Sequence, residues 1–114
     1  MLEIDLFGTF YCTQAVFPVM QKQGGGNVIS ISMTLHYHGW PMMAHATAAK
    51  AGIDAVTRTL AVEWAPKVRV NSVVVGMVET EQSELFYGDA ESVAAVAATV
   101  PLQRLAKPAD IGWA

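Results

Sequence analysis

The stretch Ala44-His45-Ala46-Thr47-Ala48-Ala49-Lys50, the run Ala51–Trp64 behind it and the segment Val68–Val75 beyond decide the fold. From about Met42 or Met43 to Ala65 the apolar and small residues recur at three- and four-residue spacing, which predicts a helix. Pro66 closes it, because a proline disfavours helix in the residue before it. Val68–Val75 is broken only by Arg69, Asn71 and Ser72 and reads as a strand buried on both faces. Lys50 falls on the first turns of the helix. An ammonium there is costly to bury and is usually held by a partner or a ligand.

Working towards the amino terminus, Thr34–Met43 reads as a loop of unusual content: Leu35, His36, Tyr37, His38, Gly39, Trp40 and Pro41. Asn27–Met33 before it is β-branched and apolar, a second buried strand. Residues 3–23 place Ile4, Leu6, Phe7, Phe10, Tyr11, Val16, Phe17, Val19 and Met20 at helical spacing, with Pro18 a tolerated kink. Gly24-Gly25-Gly26 ends that helix. A phosphate-cradling glycine loop follows a strand and opens a helix. This run does the reverse and reads as a helix C-cap turn.

Towards the carboxyl terminus, a short helix is expected near Gln82–Tyr87 and another at Ala90–Thr99, with Pro101 and Pro108 as punctuation. The order helix, strand, helix, strand, with both strands apolar, predicts an α/β fold: a doubly wound, Rossmann-like parallel sheet covered by helices. In such sheets ligands bind beyond the carboxyl ends of the strands. That expectation puts Ser32–Gly39 and Gly76–Tyr87 on one rim, within reach of Lys50.

The composition limits the function classes. The chain has 114 residues, 53% hydrophobic and 15% charged, with a net charge of −3. Seven scattered Lys and Arg make no basic stripe, so a nucleic-acid surface is not expected. No apolar run is long enough to span a bilayer, and the start carries no signal-peptide pattern, so no membrane partner is expected. A single cysteine, Cys12, leaves no internal disulfide framework and fits a reducing, cytoplasmic setting. The helical pattern enters at Met1–Asp5 without a cap, and the chain stops at Ile111–Ala114 in what reads as the opening of a helix. Residues 1–114 are therefore read as a single partial domain. His36, His38 and His45 match no metal-ligand spacing, and no metal site is expected.

Several segments, none specific alone, stand in an order and spacing that is specific: Asp5-Leu6-Phe7-Gly8-Thr9-Phe10, Gly26-Asn27-Val28-Ile29-Ser30-Ile31-Ser32, Lys50-Ala51-Gly52, Leu60-Ala61-Val62-Glu63, Arg69-Val70-Asn71-Ser72, Val75-Gly76-Met77-Val78-Glu79-Thr80 and Pro101-Leu102-Gln103-Arg104-Leu105. Through them the whole chain resembles the second half of the short-chain dehydrogenase/reductase domain. The resemblance implies a partial domain without the amino-terminal dinucleotide loop and the final strand, and NADPH or NADH as cofactor. It assigns Lys50 to the nicotinamide ribose, and gives Thr80, Val78 and the adjoining Gly76 to the cofactor's nicotinamide end. It also implies pairing through helices 3–23 and 43–65, so a homodimer or homotetramer.

The family's usual serine, tyrosine and asparagine are replaced here. The tyrosine position holds Ala46, the serine position Met33 with Ser32 adjacent, and the asparagine position Asp5. A carbonyl reductase without that phenol lacks its acid, a contribution commonly worth ~10²–10⁴-fold. One branch of the family works without the tyrosine, the 2,4-dienoyl-CoA reductases. Its peroxisomal type is similar to this chain at Thr34-Leu35-His36-Tyr37, at His45-Ala46, at Ala61-Val62-Glu63-Trp64 and at Pro101–Leu105. It also carries an aspartate at the Asp5 position.

The expected function is therefore NAD(P)-dependent hydride transfer to an enoyl or 2,4-dienoyl thioester, with an acyl-CoA as the small-molecule substrate. Asp5 and Lys50 are the catalytic candidates. Ser32, Thr34, His36 and Tyr37 are the candidate substrate contacts. A carbonyl/alcohol dehydrogenase, or a non-catalytic family member serving as a cofactor-binding or scaffold subunit, are the alternatives.

Overall fold

The computed structural model describes all residues, Met1–Ala114. They form two compact units, Met1–Val74 and Val75–Ala114, described in turn.

In the first unit a π-helical segment, Leu2–Phe7, runs without interruption into α1, Gly8–Lys22. The single helix read over residues 3–23 thus has two geometries. Leu6 of the π segment packs over Gly52, where an added Cβ would stand 2.7 Å from Leu6 Cδ2. Pro18 lies inside α1. The chain leaves α1 through the glycine run: Gly24 takes φ +93°, and the Gly25 amide donates to the Met20 carbonyl at 2.9 Å. This is the C-cap turn read from the sequence.

Strand β1, Gly26–Met33, is followed by α2, Leu35–His38, then α3, Ala44–Trp64, and β2, Val68–Val75. The two strands pair in a parallel sheet with α3 as the crossover. The alternation of β1 turns Val28, Ser30 and Ser32 towards α1 and α3, while Ile29 and Ile31 on the opposite face are 55% and 51% exposed. The sequence reads this strand as buried on both faces; in the structure helices cover one of them.

The core joins Leu60, Val68 and Val70 with Phe17, Met20, Val28, Val56 and Trp64. Phe17 stacks on Trp64 with ring centroids 4.0 Å apart, which locks α1 to the end of α3. Further up α3 the buried stripe is Ala46, Ala49, Ile53, Asp54, Thr57 and Leu60, the three- and four-residue spacing of one helix face. Where the sequence reads a loop over Thr34–Met43, residues 35–38 make the single turn α2.

The second unit holds α4, Ser83–Tyr87, α5, Ala90–Thr99, and α6, Pro108–Gly112. A parallel bridge joins Val78 to Ala106. Asp89 caps α5, accepting from the Ser92 amide at 2.9 Å and the Ser92 hydroxyl at 2.8 Å. Asp110 accepts from Arg104 at 2.8 Å and from the Lys107 amide at 2.7 Å, tying the Pro101–Leu105 segment to the start of α6. No helix is long and apolar enough to cross a membrane.

Candidate active site

Lys50 is set by the burial of its neighbours. Ala49 is 0% and Ile53 2% exposed, so the face of α3 beside Lys50 is fixed against the sheet. Its ammonium donates to the Ile31 carbonyl at 3.2 Å. In return the Ser32 hydroxyl donates to the Lys50 carbonyl at 3.4 Å. These reciprocal bonds tie the carboxyl end of β1 to the start of α3. An ammonium has three donors, so two remain for a ligand. One turn earlier on α3 stands Ala46, 8% exposed and without a polar atom in its side chain.

The sequence places Ser32 among the candidate substrate contacts, and in the structure it is buried. Ser32 is 1% exposed with its hydroxyl turned to the backbone of α3, because strand alternation points it inward. Thr34 is the N-cap residue of α2, its carbonyl accepting the Tyr37 amide at 3.0 Å. Tyr37 is 59% exposed and lies against the His36 ring, with centroids 4.1 Å apart. His36 itself turns away from solvent: its Nε2 lies 3.0 Å from Oδ2 of Asp54.

Asp54 is 4% exposed, and its Oδ1 accepts from the Ser72 hydroxyl of β2 at 3.2 Å. The His36 contact is short but off the hydrogen-bond axis, and Nδ1 of His36 is buried without a partner. Reading the sequence for rim residues misses Asp54 and Ser72. The signal was present: Asp54 stands four residues after Lys50 and eight after Ala46, on the inward stripe, and Ser72 interrupts an apolar strand.

Asp5 lies in the π segment, half-buried, with its carbonyl accepting the Thr9 hydroxyl at 2.6 Å. Its carboxylate forms no ion pair.

In the second unit, Val78 is presented for backbone contacts. Ala106 donates to the Met77 carbonyl at 2.9 Å and accepts the Glu79 amide at 2.8 Å. The residue between them therefore turns its own N–H and C=O away from Ala106, free for a ligand. The Thr80 hydroxyl accepts the Gln82 amide at 3.3 Å, which leaves its hydrogen to donate. Gly76 has open space where a Cβ would stand. An amide of the nicotinamide type needs a donor and an acceptor at one end. Val78 and Thr80 offer both, so this loop fits the group that the sequence assigns to it.

Comparison with known proteins gives the family. A family model described as Enoyl-(Acyl carrier protein) reductase matches residues 1–114. The peroxisomal 2,4-dienoyl-CoA reductase of Danio rerio is 39% identical over 100% of this chain and 39% of its own length. The 3-oxoacyl-(acyl-carrier-protein) reductase FabG of Thermotoga maritima is 34% identical over 97% of this chain and 45% of its own. Among solved structures, the TT0495 protein of Thermus thermophilus superposes with a TM-score of 0.86 at 31% identity, over 98% of this chain and 48% of that one. The chain thus spans less than half the length of these relatives.

Proposed function

The chain belongs to the short-chain dehydrogenase/reductase family, and from that premise we propose that it serves NAD(P)H-dependent reduction of an enoyl or 2,4-dienoyl thioester, its 114 residues forming part of one such domain. The observation that carries this reading is Ala46, where the family's proton-donating tyrosine stands, one turn before a retained Lys50. Reduction of a ketone leaves an alkoxide that needs an acid at oxygen. Reduction of a conjugated thioester puts charge on a dienolate, and the proton is taken at carbon. A site that lost its phenol and kept its lysine suits the second chemistry.

In this reading a bound reduced nicotinamide supplies a hydride to the far carbon of the dienoyl thioester. Lys50 holds the ribose through its two free donors and lends positive charge to the site. Val78 and Thr80 hold the carboxamide. Asp5, half-buried and free of any cation, accepts a hydrogen bond from a water and orients it for protonation of the substrate carbon. Hydrogen-bond donors on the thioester oxygen stabilise the dienolate. Thr34 and Tyr37, on the turn after β1, are the chain's candidates for that role.

Two further elements belong to the proposal. Tyr11 and Val16 on α1 and Val62 on α3 are exposed apolar residues on the helices implied to pair, which supports a homodimer or homotetramer. The acyl carrier is a CoA thioester, in keeping with the printed activity of the Danio rerio relative.

The test is reduction of a 2,4-dienoyl-CoA with cofactor deuterated at the transferred position. Deuterium on the far carbon, with the second hydrogen from solvent on a carbon nearer the thioester, supports the proposal. Label on an oxygen-bearing carbon of a 3-oxo substrate, with the dienoyl compound untouched, contradicts it and favours the carbonyl reductase reading.

A further inference from the structure

The pair His36–Asp54 has no part in the chemistry above, yet it buries a carboxylate and a ring nitrogen without full partners. A carboxylate buried as deeply as Asp54 is unfavourable unless its neighbours satisfy it. Ser72 of β2 satisfies Oδ1, and His36 of α2 approaches Oδ2 at 3.0 Å. Oδ2 itself accepts no hydrogen bond, so the 3.0 Å approach of the ring is a close polar contact off the hydrogen-bond axis. The three side chains belong to three elements, and Asp54 of α3 is where they meet.

The turn α2 is four residues long and has no side-chain cap, so it does not hold its own shape. The His36 contact is the one side-chain polar tether from this turn to α3. Thr34 and Tyr37 stand on either side of His36 in the same turn. Lys50 precedes Asp54 by one turn of α3, about 6 Å along the axis. Whatever fixes His36 on Asp54 therefore fixes the Thr34–Tyr37 segment relative to the helix that carries Lys50.

We propose that His36 is a positioning residue acting through Asp54: the pair, braced by Ser72, holds the post-β1 turn in the register on α3 that orients substrate beside Lys50. The proposal rests on the reductase reading of the site. His36 need not touch substrate for this, and its Nδ1 is buried without a partner.

The experiment compares wild type, His36→Phe and His36→Gln in steady-state turnover, cofactor affinity and amide exchange of residues 35–39. A phenyl ring keeps the bulk and loses the polar contact. A glutamine amide keeps a donor for the Asp54 carboxylate. For His36→Phe the expected result is faster exchange in residues 35–39 and a loss of about tenfold or more in kcat/KM for the acyl substrate. NADPH affinity stays unchanged, and His36→Gln recovers most of both losses.

The following results overturn the proposal. Exchange in His36→Phe equal to wild type removes the tether. Faster exchange with undiminished turnover makes the pair merely structural. Protection restored but activity absent in His36→Gln makes the imidazole itself a proton donor. Wild type without NAD(P)H turnover defeats the reductase reading, and the positioning role with it. An active wild type with unaffected variants defeats the positioning role alone.

Discussion

Lys50 and Asp5 carry opposite charges and opposite relations to their surroundings. Lys50 is anchored between buried neighbours with two donors to spare, so Lys50→Ala is expected to lower kcat/KM by about 10² or more, chiefly through lost cofactor orientation. Steady-state kinetics with varied NADPH checks this, and unchanged activity would remove Lys50 from the site. Asp5 has no cation beside it and holds a water in the proposal. Asp5→Ala is expected to slow dienoyl turnover by about 10²-fold while cofactor affinity stays as in wild type. Equal loss of cofactor binding would make Asp5 structural.

Lys50, Asp5, Val78 and Thr80 enter the proposal from the sequence, because each stands in a segment whose order and spacing carry the resemblance. Asp54 and Ser72 were not legible there. A lone Asp within an apolar helix reads as a solvated residue, and only its place on the inward stripe with Ala46, Ala49 and Ile53 distinguishes it. Ser32 shows that strand alternation, not proximity to the rim, decides where a hydroxyl points.

At the scale of elements, the glycines separate folding from function. An added Cβ at Gly25 would stand 2.7 Å from the Lys67 carbonyl oxygen, which is backbone and cannot swing aside. Gly25→Ala is therefore expected to destabilise the first unit by about 1–3 kcal/mol, read by denaturant or thermal unfolding. Gly76 meets nothing within 4 Å, so Gly76→Ala is expected to leave stability intact or slightly raised. If the loop receives the cofactor, that same change raises the KM for NADPH.

The helix caps of the second unit give a pH dependence. Hydrogen bonds from the Ser92 amide and hydroxyl hold Asp89 below the usual carboxylate range, and Arg104 with the Lys107 amide does the same for Asp110. A carboxyl whose folded value is lowered contributes fully above its ordinary range, and the contribution is lost as pH falls through the lowered value. The protection factors of the Ser92 and Lys107 amides, with the intrinsic pH dependence of exchange divided out, are thus expected to stay constant from neutral pH down to the ordinary carboxylate range and to fall below it. Both groups are exposed, so solvent and salt reduce the effect.

At the scale of the molecule, periodicity alone was enough for the parallel α/β architecture, because an apolar strand, a long amphipathic helix and a second apolar strand admit few other arrangements. Three details escaped it. The π opening of the first helix is where Leu6 seats on Gly52, a contact between distant segments. The α2 turn carries His36 against Asp54, a tertiary contact. The open face of β1, with Ile29 and Ile31 half exposed, depends on which layers are present to cover it. All three are set by packing partners that local sequence does not name.

The central claim is that a site with Ala46 in place of the phenol and Lys50 retained reduces a conjugated carbon–carbon bond and not a ketone. The most direct measurement follows NADPH and NADH oxidation by the protein with a 2,4-dienoyl-CoA, a 2-enoyl-CoA and a 3-oxoacyl-CoA side by side. Turnover of the dienoyl thioester, with or without the enoyl compound, and none of the 3-oxo compound is the predicted result. Turnover of the 3-oxoacyl-CoA, or cofactor binding with no turnover of any of the three, would contradict it.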